Sequence, residues 1–169
     1  MKCGFYETDI TPALGSIIPG AFAARYANEI LDPLFARAVV VANEDKILAI
    51  VSIDACGITR DITARIRERV AKLSPILPEN VMVMATHAHG GGPTLNWGEQ
   101  VVTEAHYLTE LVNKAADAVV IAWNKAEESQ LLLGTDELYG ISFIRVYRMK
   151  DGTYKTNPSP KMPELIDQP

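Results

Sequence analysis

Two apolar segments and the stretch between them constrain the fold of this chain most strongly. The segment Ile47–Ile53 shows no polar alternation through residue 51, and Val81–Ala85 is wholly apolar. The first pattern is typical of a central strand that is covered on both faces of a sheet, and the second predicts another strand. Between them, apolar residues recur at helical spacing from Ile62 to Leu73, with Thr59 as a predicted N-cap. The sequence therefore predicts a β-α-β unit, whose two strands run parallel and are joined by a right-handed crossover.

The rest of the chain predicts further strands and one more helix around this unit. A strand over residues 36–42 and a tight turn at 43–46 form an antiparallel hairpin with the first apolar strand. A second amphipathic helix is predicted from about residue 103 to 124, and strands at 131–134 and 141–148 lead to a hairpin turn at 150–153. The order is β-β-α-β-α-β-β, an α/β fold with a mixed sheet and helices packed on it.

Two regions lack periodicity. Residues 13–33 are rich in Gly, Ala and Pro and predict a long irregular loop over the sheet, a type of segment that is often functional. Residues 157–169 contain four prolines. We therefore expect one α/β part over residues 1–156, followed by a connecting tail at 157–169 that leads into a longer protein.

Charge and hydropathy exclude several classes of function. The net charge is −5 and no basic stripe is present, which argues against nucleic-acid binding. No apolar run reaches the roughly 18 residues of a membrane span, and the first residues do not resemble a secretory signal, so a cytoplasmic location is expected. The two cysteines, Cys3 and Cys56, have no metal-type or redox-type spacing and are predicted to be free buried thiols.

The candidate site lies where the two parallel strands end. Asp54 follows the first strand and His87 the second, and carboxyl ends of parallel strands form the ligand edge of an open α/β sheet. In an extended backbone His87 and His89 would point the same way, so both imidazoles could face one metal ion or substrate. Two surface histidines in a loop remain the alternative. The run Gly90–Gly92 permits close backbone approach, but no Gly-Lys-Ser/Thr ending marks a phosphate loop.

Four segments of this sequence occur in the order seen in one enzyme family. They are 9–12 (DITP), 32–38 (DPLFARA), 51–54 (VSID) and 86–93 (THAHGGGP). Together they resemble the amino-terminal part of the neutral/alkaline, non-lysosomal ceramidases, which typically carry a Thr-His-Thr-His-Ser-Gly-Pro segment. Ala88 and Gly90 stand here in place of the second Thr and the Ser. The resemblance covers about the first 100 residues.

The resemblance implies a zinc-dependent hydrolase that cleaves the N-acyl bond of a ceramide-like lipid or another small-molecule amide. His87 matches the family's first zinc-binding histidine, and His89 the neighbouring active-site histidine. Arg145 corresponds to an active-site arginine. From its position, Asp54 would orient a histidine by accepting its second N–H, or would simply cap the next helix. No histidine follows His106, so the family's remaining ligands are expected outside this sequence.

Two other classes of function compete with this interpretation. A non-catalytic binding or scaffold domain would keep the fold without a complete site. A cofactor-free serine hydrolase would need a nucleophile elbow, and the chain contains no Gly-x-Ser-x-Gly.

Overall fold

The computed structural model describes residues 1–21, 23–96, 102–141, 145–157 and 166–168. These residues form two compact units, Met1–Gln130 and Leu131–Pro169. The strands are β1 (Lys2–Asp9), β2 (Ile17–Ile18), β3 (Arg25–Tyr26), β4 (Phe35–Ala42), β5 (Ile47–Ile53), β6 (Val81–Ala85), β7 (Glu127–Glu128), β8 (Val146–Met149), β9 (Tyr154–Thr156) and β10 (Ile166–Gln168). The helices are α1 (Arg60–Leu73) and α2 (Ala105–Asn124), with a 3-10 turn at Pro78–Asn80.

A five-stranded mixed sheet in the order β6-β5-β4-β1-β7 is the centre of the first unit. Strands β5 and β6 are parallel neighbours, with Ile53 opposite Ala85, whereas β4 pairs antiparallel with both β1 and β5. The predicted α/β class, the mixed sheet and the β-α-β unit are confirmed. Because β5 and β6 are adjacent, the residues that follow them emerge at the same edge of the sheet.

The core lies between the helices and one face of this sheet. Every second residue of β4 and β5 is buried, and these side chains pack with the apolar stripes of α1 and α2. Thr59 caps α1 as predicted, since its hydroxyl accepts the N–H of Ile62 at 3.3 Å. The fully buried α1 residues Ile66 and Val70 show that the helical spacing in the sequence identified the packed face.

The opposite face of the sheet is exposed, which corrects one prediction. Leu48 and Ile50 of β5 retain 52% and 40% of their accessible surface, and Met82 and Met84 of β6 retain 54% and 40%. The apolar run at residues 47–51 predicted cover on both faces, but the described residues cover only one. An apolar run records the hydrophobicity of both faces of a strand and does not identify what covers each of them.

Strand β1 was missed by sequence reasoning. It lies between β4 and β7, yet in its pattern only Gly4 is buried. A Cβ at Gly4 would overlap the backbone carbonyl of Ala122 in α2, so this glycine lets the helix approach the strand closely. Glycine has no strand propensity and gave no apolar alternation that a sequence pattern could detect.

The second unit contains the three-stranded sheet β10-β8-β9. The hairpin turn predicted at 150–153 is confirmed, and β8 forms the end of the strand predicted at 141–148, of which 142–144 lie outside the described residues. The strand predicted at 131–134 is wrong, because these residues pair with no other strand and the side chains of Leu131–Leu133 are largely exposed. The boundary predicted between residues 156 and 157 stays a prediction. Within the described ranges, no helix combines the length and the apolar character that crossing a membrane requires.

Candidate functional site

The segment after β6 continues beside the segment after β5. The N–H of Thr86 donates to the carbonyl of Ile53 at 3.0 Å, and the N–H of Ala88 donates to the carbonyl of Ala55 at 3.1 Å. This extension of the parallel ladder holds His87 beside residues 54–56. The site therefore lies at the carboxyl edge of the sheet, where open α/β folds bind ligands.

The two histidines converge, although not in the way that was predicted. His87 adopts the left-handed backbone conformation, with φ of 62°, so the extended backbone that motivated the prediction is absent. The Nε2 atoms of His87 and His89 nevertheless lie 3.3 Å apart, and the two rings meet edge to face with centroids 4.9 Å apart. A non-glycine residue rarely takes this conformation unless the surrounding structure enforces it.

A backbone hydrogen bond sets the tautomer of His87. Its Nδ1 lies 2.7 Å from the carbonyl oxygen of Cys56, and a carbonyl can only accept. Nδ1 therefore carries the proton, and the lone pair of Nε2 faces His89. Both imidazoles are exposed, so an ion or a substrate can reach the two Nε2 atoms from solvent.

The side chain of Cys56 joins this pair. One donor atom each from Cys56, His87 and His89 lies within 4.8 Å of the others, with the thiol buried and the imidazoles exposed. Sequence reasoning missed Cys56 as a site residue because it has no cysteine or histidine at metal-type spacing in its own segment. The sequence could have indicated Cys56 by its position: it lies two residues after Asp54, beyond the end of β5, and the β-α-β unit brings that strand end beside His87.

Asp54 lies at the predicted edge but has other partners. Its Oδ2 accepts the N–H of Phe35 at 3.0 Å and an N–H of Arg37 at 2.8 Å. This hydrogen bond from Arg37 to the Asp54 carboxylate is the main reason that the pKa of Arg37 is raised. Asp54 was expected to orient a histidine or to cap the next helix, whereas the hydrogen bond that orients His87 is made by the carbonyl of Cys56.

The irregular segment predicted at 13–33 contacts His89, although it contains the short strands β2 and β3. Arg25 donates from Nη2 to the carbonyl of His89 at 2.8 Å and to that of Pro19 at 3.4 Å. Gly20, with φ of 90°, lies against the His89 ring so closely that a Cβ there would come within 2.8 Å of it. This loop therefore constrains the position of His89.

Within the glycine run, close approach occurs at Gly91. A Cβ at Gly91 would lie 2.7 Å from Cα of Ala55, 3.0 Å from the carbonyl oxygen of Ala88 and 3.1 Å from that of Asp54. A Cβ at Gly90 would meet nothing within 4 Å. Gly91 is thus required so that the histidine segment can fold back onto the end of β5.

An apolar cleft of about 310 Å³ adjoins this segment. Its lining residues are Thr11, Pro12, Ile18, Ala27, Glu29, Ile30, Leu31, Asp32, Leu34, Gly90 and Gly91. Ile30 and Leu31 remain 53% and 84% exposed, and an exposed apolar cluster of this kind is characteristic of a binding surface.

Arg145 belongs to the second unit. It is exposed, it immediately precedes β8, and its carbonyl accepts the N–H of Asn157 at 2.7 Å. The active-site role predicted for Arg145 stays a prediction.

Comparison with known proteins supports the fold. The chain has a ceramidase-like fold: it resembles a solved structure described as a ceramidase complexed with C2, with a TM-score of 0.64 and 21% identity over 75% of this chain. It also resembles the neutral ceramidase of Pseudomonas aeruginosa, with a TM-score of 0.60 and 22% identity over 75% of this chain. The chain spans only 21% and 22% of the lengths of those two structures. No family model matches the sequence, and no curated protein matches it.

Proposed function

We propose that this chain carries the metal-binding edge of a zinc-dependent amide hydrolase that cleaves an N-acyl bond of a ceramide-like lipid. The observation that carries the proposal is the convergence of two exposed imidazoles, 3.3 Å apart at Nε2, with the tautomer of His87 set by the carbonyl of Cys56. This arrangement leaves an unprotonated nitrogen of His87 free to act as a ligand.

The donor set fits zinc. Imidazole nitrogen and thiol sulfur are the donors that this borderline-soft ion prefers. Zinc, when bound, polarises a carbonyl and lowers the pKa of a bound water to about 7. His87 holds the ion, and His89 acts at the reacting centre, either by carrying a proton for the substrate or by sharing the ion with His87.

Asp54 and Arg145 complete the proposed set of site residues. Asp54 holds Arg37 and the backbone of Phe35 at the edge where His87 emerges, and so positions the start of the site. Arg145 is proposed as an active-site arginine, as the resemblance implies. Catalysis is proposed to need further residues from outside this sequence.

The cleft beside Gly90 supports the proposed substrate class. Its aliphatic residues Ile18, Ile30, Leu31 and Leu34 offer an apolar surface to an acyl chain. Each methylene removed from water contributes about 0.8 kcal/mol to the binding free energy. A few buried methylenes therefore favour binding of a lipid amide over that of a short-chain amide. This difference supports a lipid amide as the substrate.

The proposal is tested with a fluorogenic N-acyl-sphingosine analogue on the protein expressed from its complete open reading frame. We expect turnover that a chelator abolishes and zinc restores. His87→Ala should remove bound zinc and turnover together, because one donor fewer leaves the ion weakly held. His106→Ala is the matched control, since His106 is exposed on α2 and should change neither quantity.

Unchanged zinc content and turnover in His87→Ala would overturn the hydrolase proposal. A protein that folds normally but shows neither zinc nor turnover would support the binding or scaffold alternative.

A further inference from the structure

We infer that Cys56, His87 and His89 together form a three-ligand metal site that belongs to this chain alone. The inference rests on the proposed function for the identity of the ion, zinc, and it assigns His89 as a ligand. It adds a thiolate that neither the resemblance nor the sequence pattern supplied. The site would bind metal without donors from outside this sequence.

The geometry of the two imidazoles is the first support. Zinc holds nitrogen ligands at about 2.0–2.1 Å in a tetrahedral arrangement, which places two such nitrogens about 3.3–3.4 Å apart. The Nε2 atoms of His87 and His89 are 3.3 Å apart. Without a metal, this separation is that of a hydrogen bond from the Nε2–H of His89 to the lone pair of His87 Nε2, and a cation shared by the two nitrogens would take the place of that proton.

The position of the thiol is the second support. The three donor atoms lie within 4.8 Å of one another. A tetrahedral zinc with sulfur at about 2.3 Å would need the sulfur roughly 3.5 Å from each nitrogen, so a shift of about 1 Å closes the site. A thiol beside zinc loses its proton and becomes the thiolate that the ion prefers.

The local backbone is the third support. His87 is held at φ of 62° by flanking hydrogen bonds from Thr86 and Ala88 to the segment after β5. Its ring is further held by the carbonyl of Cys56, the same residue that offers the thiol. Cys56 therefore orients the His87 ring through its carbonyl and supplies the thiol, so the two donors are held close to each other.

The number of ligands distinguishes a catalytic from a structural zinc site. Three protein donors leave the fourth position of a tetrahedral zinc open, as in catalytic sites, whereas structural sites use four. The exposed side of the two imidazoles is where that position would face. The open position would then accept water or the carbonyl oxygen of an amide.

The experiment uses the 169-residue chain with Cys3→Ser, so that Cys56 is the only remaining thiol. The metal-free protein is titrated with Co²⁺, which replaces zinc and gives a sulfur-to-cobalt charge-transfer band in the near ultraviolet only when a thiolate is bound. We expect one cobalt per chain with this band and with the visible bands of a tetrahedral site. Zinc should displace the cobalt and abolish both.

Three variants in the Cys3→Ser background separate the ligands. Cys56→Ser should abolish the charge-transfer band, and a circular-dichroism spectrum will show whether the fold is kept. His87→Ala and His89→Ala should each weaken cobalt binding by at least about 10-fold, since even residues that only orient a ligand cost about 10- to 100-fold in affinity. His106→Ala should bind cobalt as the parent does.

Each outcome decides the inference. Absence of cobalt binding in the parent, or binding without the charge-transfer band, overturns it, and so does full affinity in His89→Ala. The parent spectrum alone tests the thiolate if Cys56→Ser fails to fold. Turnover by the hydrolase without the band would leave the proposed function standing and remove Cys56 as a ligand. A charge-transfer band without any turnover would leave the three-ligand metal site standing and remove the proposed hydrolase function.

Discussion

His87 occupies the left-handed backbone region, where a Cβ lies too close to the following carbonyl. Glycine has no such penalty, whereas alanine keeps it. We therefore expect the His87→Gly variant to be more stable than the His87→Ala variant by about 1 kcal/mol, measured by urea unfolding of the metal-free chain. At Ala88, which has no positive φ, Ala88→Gly should instead destabilise the chain by roughly 0.5–1 kcal/mol. Equal stability of the two His87 variants would show that the strain is absent.

Gly90 and Gly91 offer a matched pair at the same loop. A side chain at Gly91 would contact only backbone atoms, from Ala55, Ala88 and Asp54, and a backbone cannot rotate away. Gly91→Ala should therefore cost about 1–3 kcal/mol of unfolding free energy and displace the histidine segment, with lower affinity for cobalt. Gly90→Ala should stay within about 0.5 kcal/mol of the parent. If both variants unfold at the same urea concentration as the parent, the backbone contacts inferred for a Cβ at Gly91 are wrong.

At the scale of elements, Tyr107 joins α2 to Ile10, which follows β1, and to Gly92. Its buried hydroxyl donates to the carbonyl of Ile10 at 3.0 Å, and a Cβ at Gly92 would overlap that hydroxyl. Burial, more than the nearby carboxylates of Glu104 and Asp9, raises the pKa of Tyr107 above its ordinary value of 10.0. The first turn of α2 is therefore held against the segment that precedes the loop at 13–33.

The raised pKa of Tyr107 has a definite sign in stability. The folded state keeps the proton that the unfolded state releases above pH 10, so this stabilisation is present below pH 10 and is lost as the pH rises further. Tyr107→Phe should cost about 1 kcal/mol at pH 7, from the lost hydrogen bond, and the difference from the parent should shrink above pH 10. Urea unfolding at pH 7 and above pH 10 measures this difference in stability. Tyr26→Phe, at a 63% exposed position, is the control and should change stability at pH 7 by less than about 0.5 kcal/mol.

The elements that sequence patterns predicted are those whose burial follows the helical or strand period. Helix α1 and the parallel pair β5 and β6 are of this kind, and so is the placement of Asp54 and His87 at one edge. Strand β1 was not predictable, because its only buried residue is Gly4. The left-handed turn at His87 and the approach of Cys56 depend on contacts between segments about 30 residues apart, which no local pattern encodes.

At the scale of the first unit, one face of the central sheet presents apolar side chains to water. Phe5 on β1, Leu48 and Ile50 on β5, and Met82 on β6 are each at least 40% exposed, with β4 between β1 and β5. A continuous apolar patch of this kind binds fluorescent apolar dyes. We expect the folded chain to bind such a dye. The double variant Ile50→Lys with Met82→Lys should lower the dye signal by about twofold or more without unfolding the chain.

The control for this prediction is the buried side of the same strand. Val51 has no exposed surface, so Val51→Lys would bury an unpaired charge and unfold the chain. Dye binding that survives the double variant at full strength would place the responsible surface elsewhere.

The loop at 13–33 is closed at its base. The carbonyl of Leu34 accepts the N–H of Ile10 at 2.8 Å, and the N–H of Leu34 donates to the hydroxyl of Thr11 at 2.8 Å. Because its two ends are clasped, doubling the loop's length would cost only about 0.6 kcal/mol in closure entropy. Evolution can therefore lengthen, shorten or replace this loop while the sheet edge stays intact. Diversification among descendants of this chain would be concentrated there, in the segment that lines the cleft.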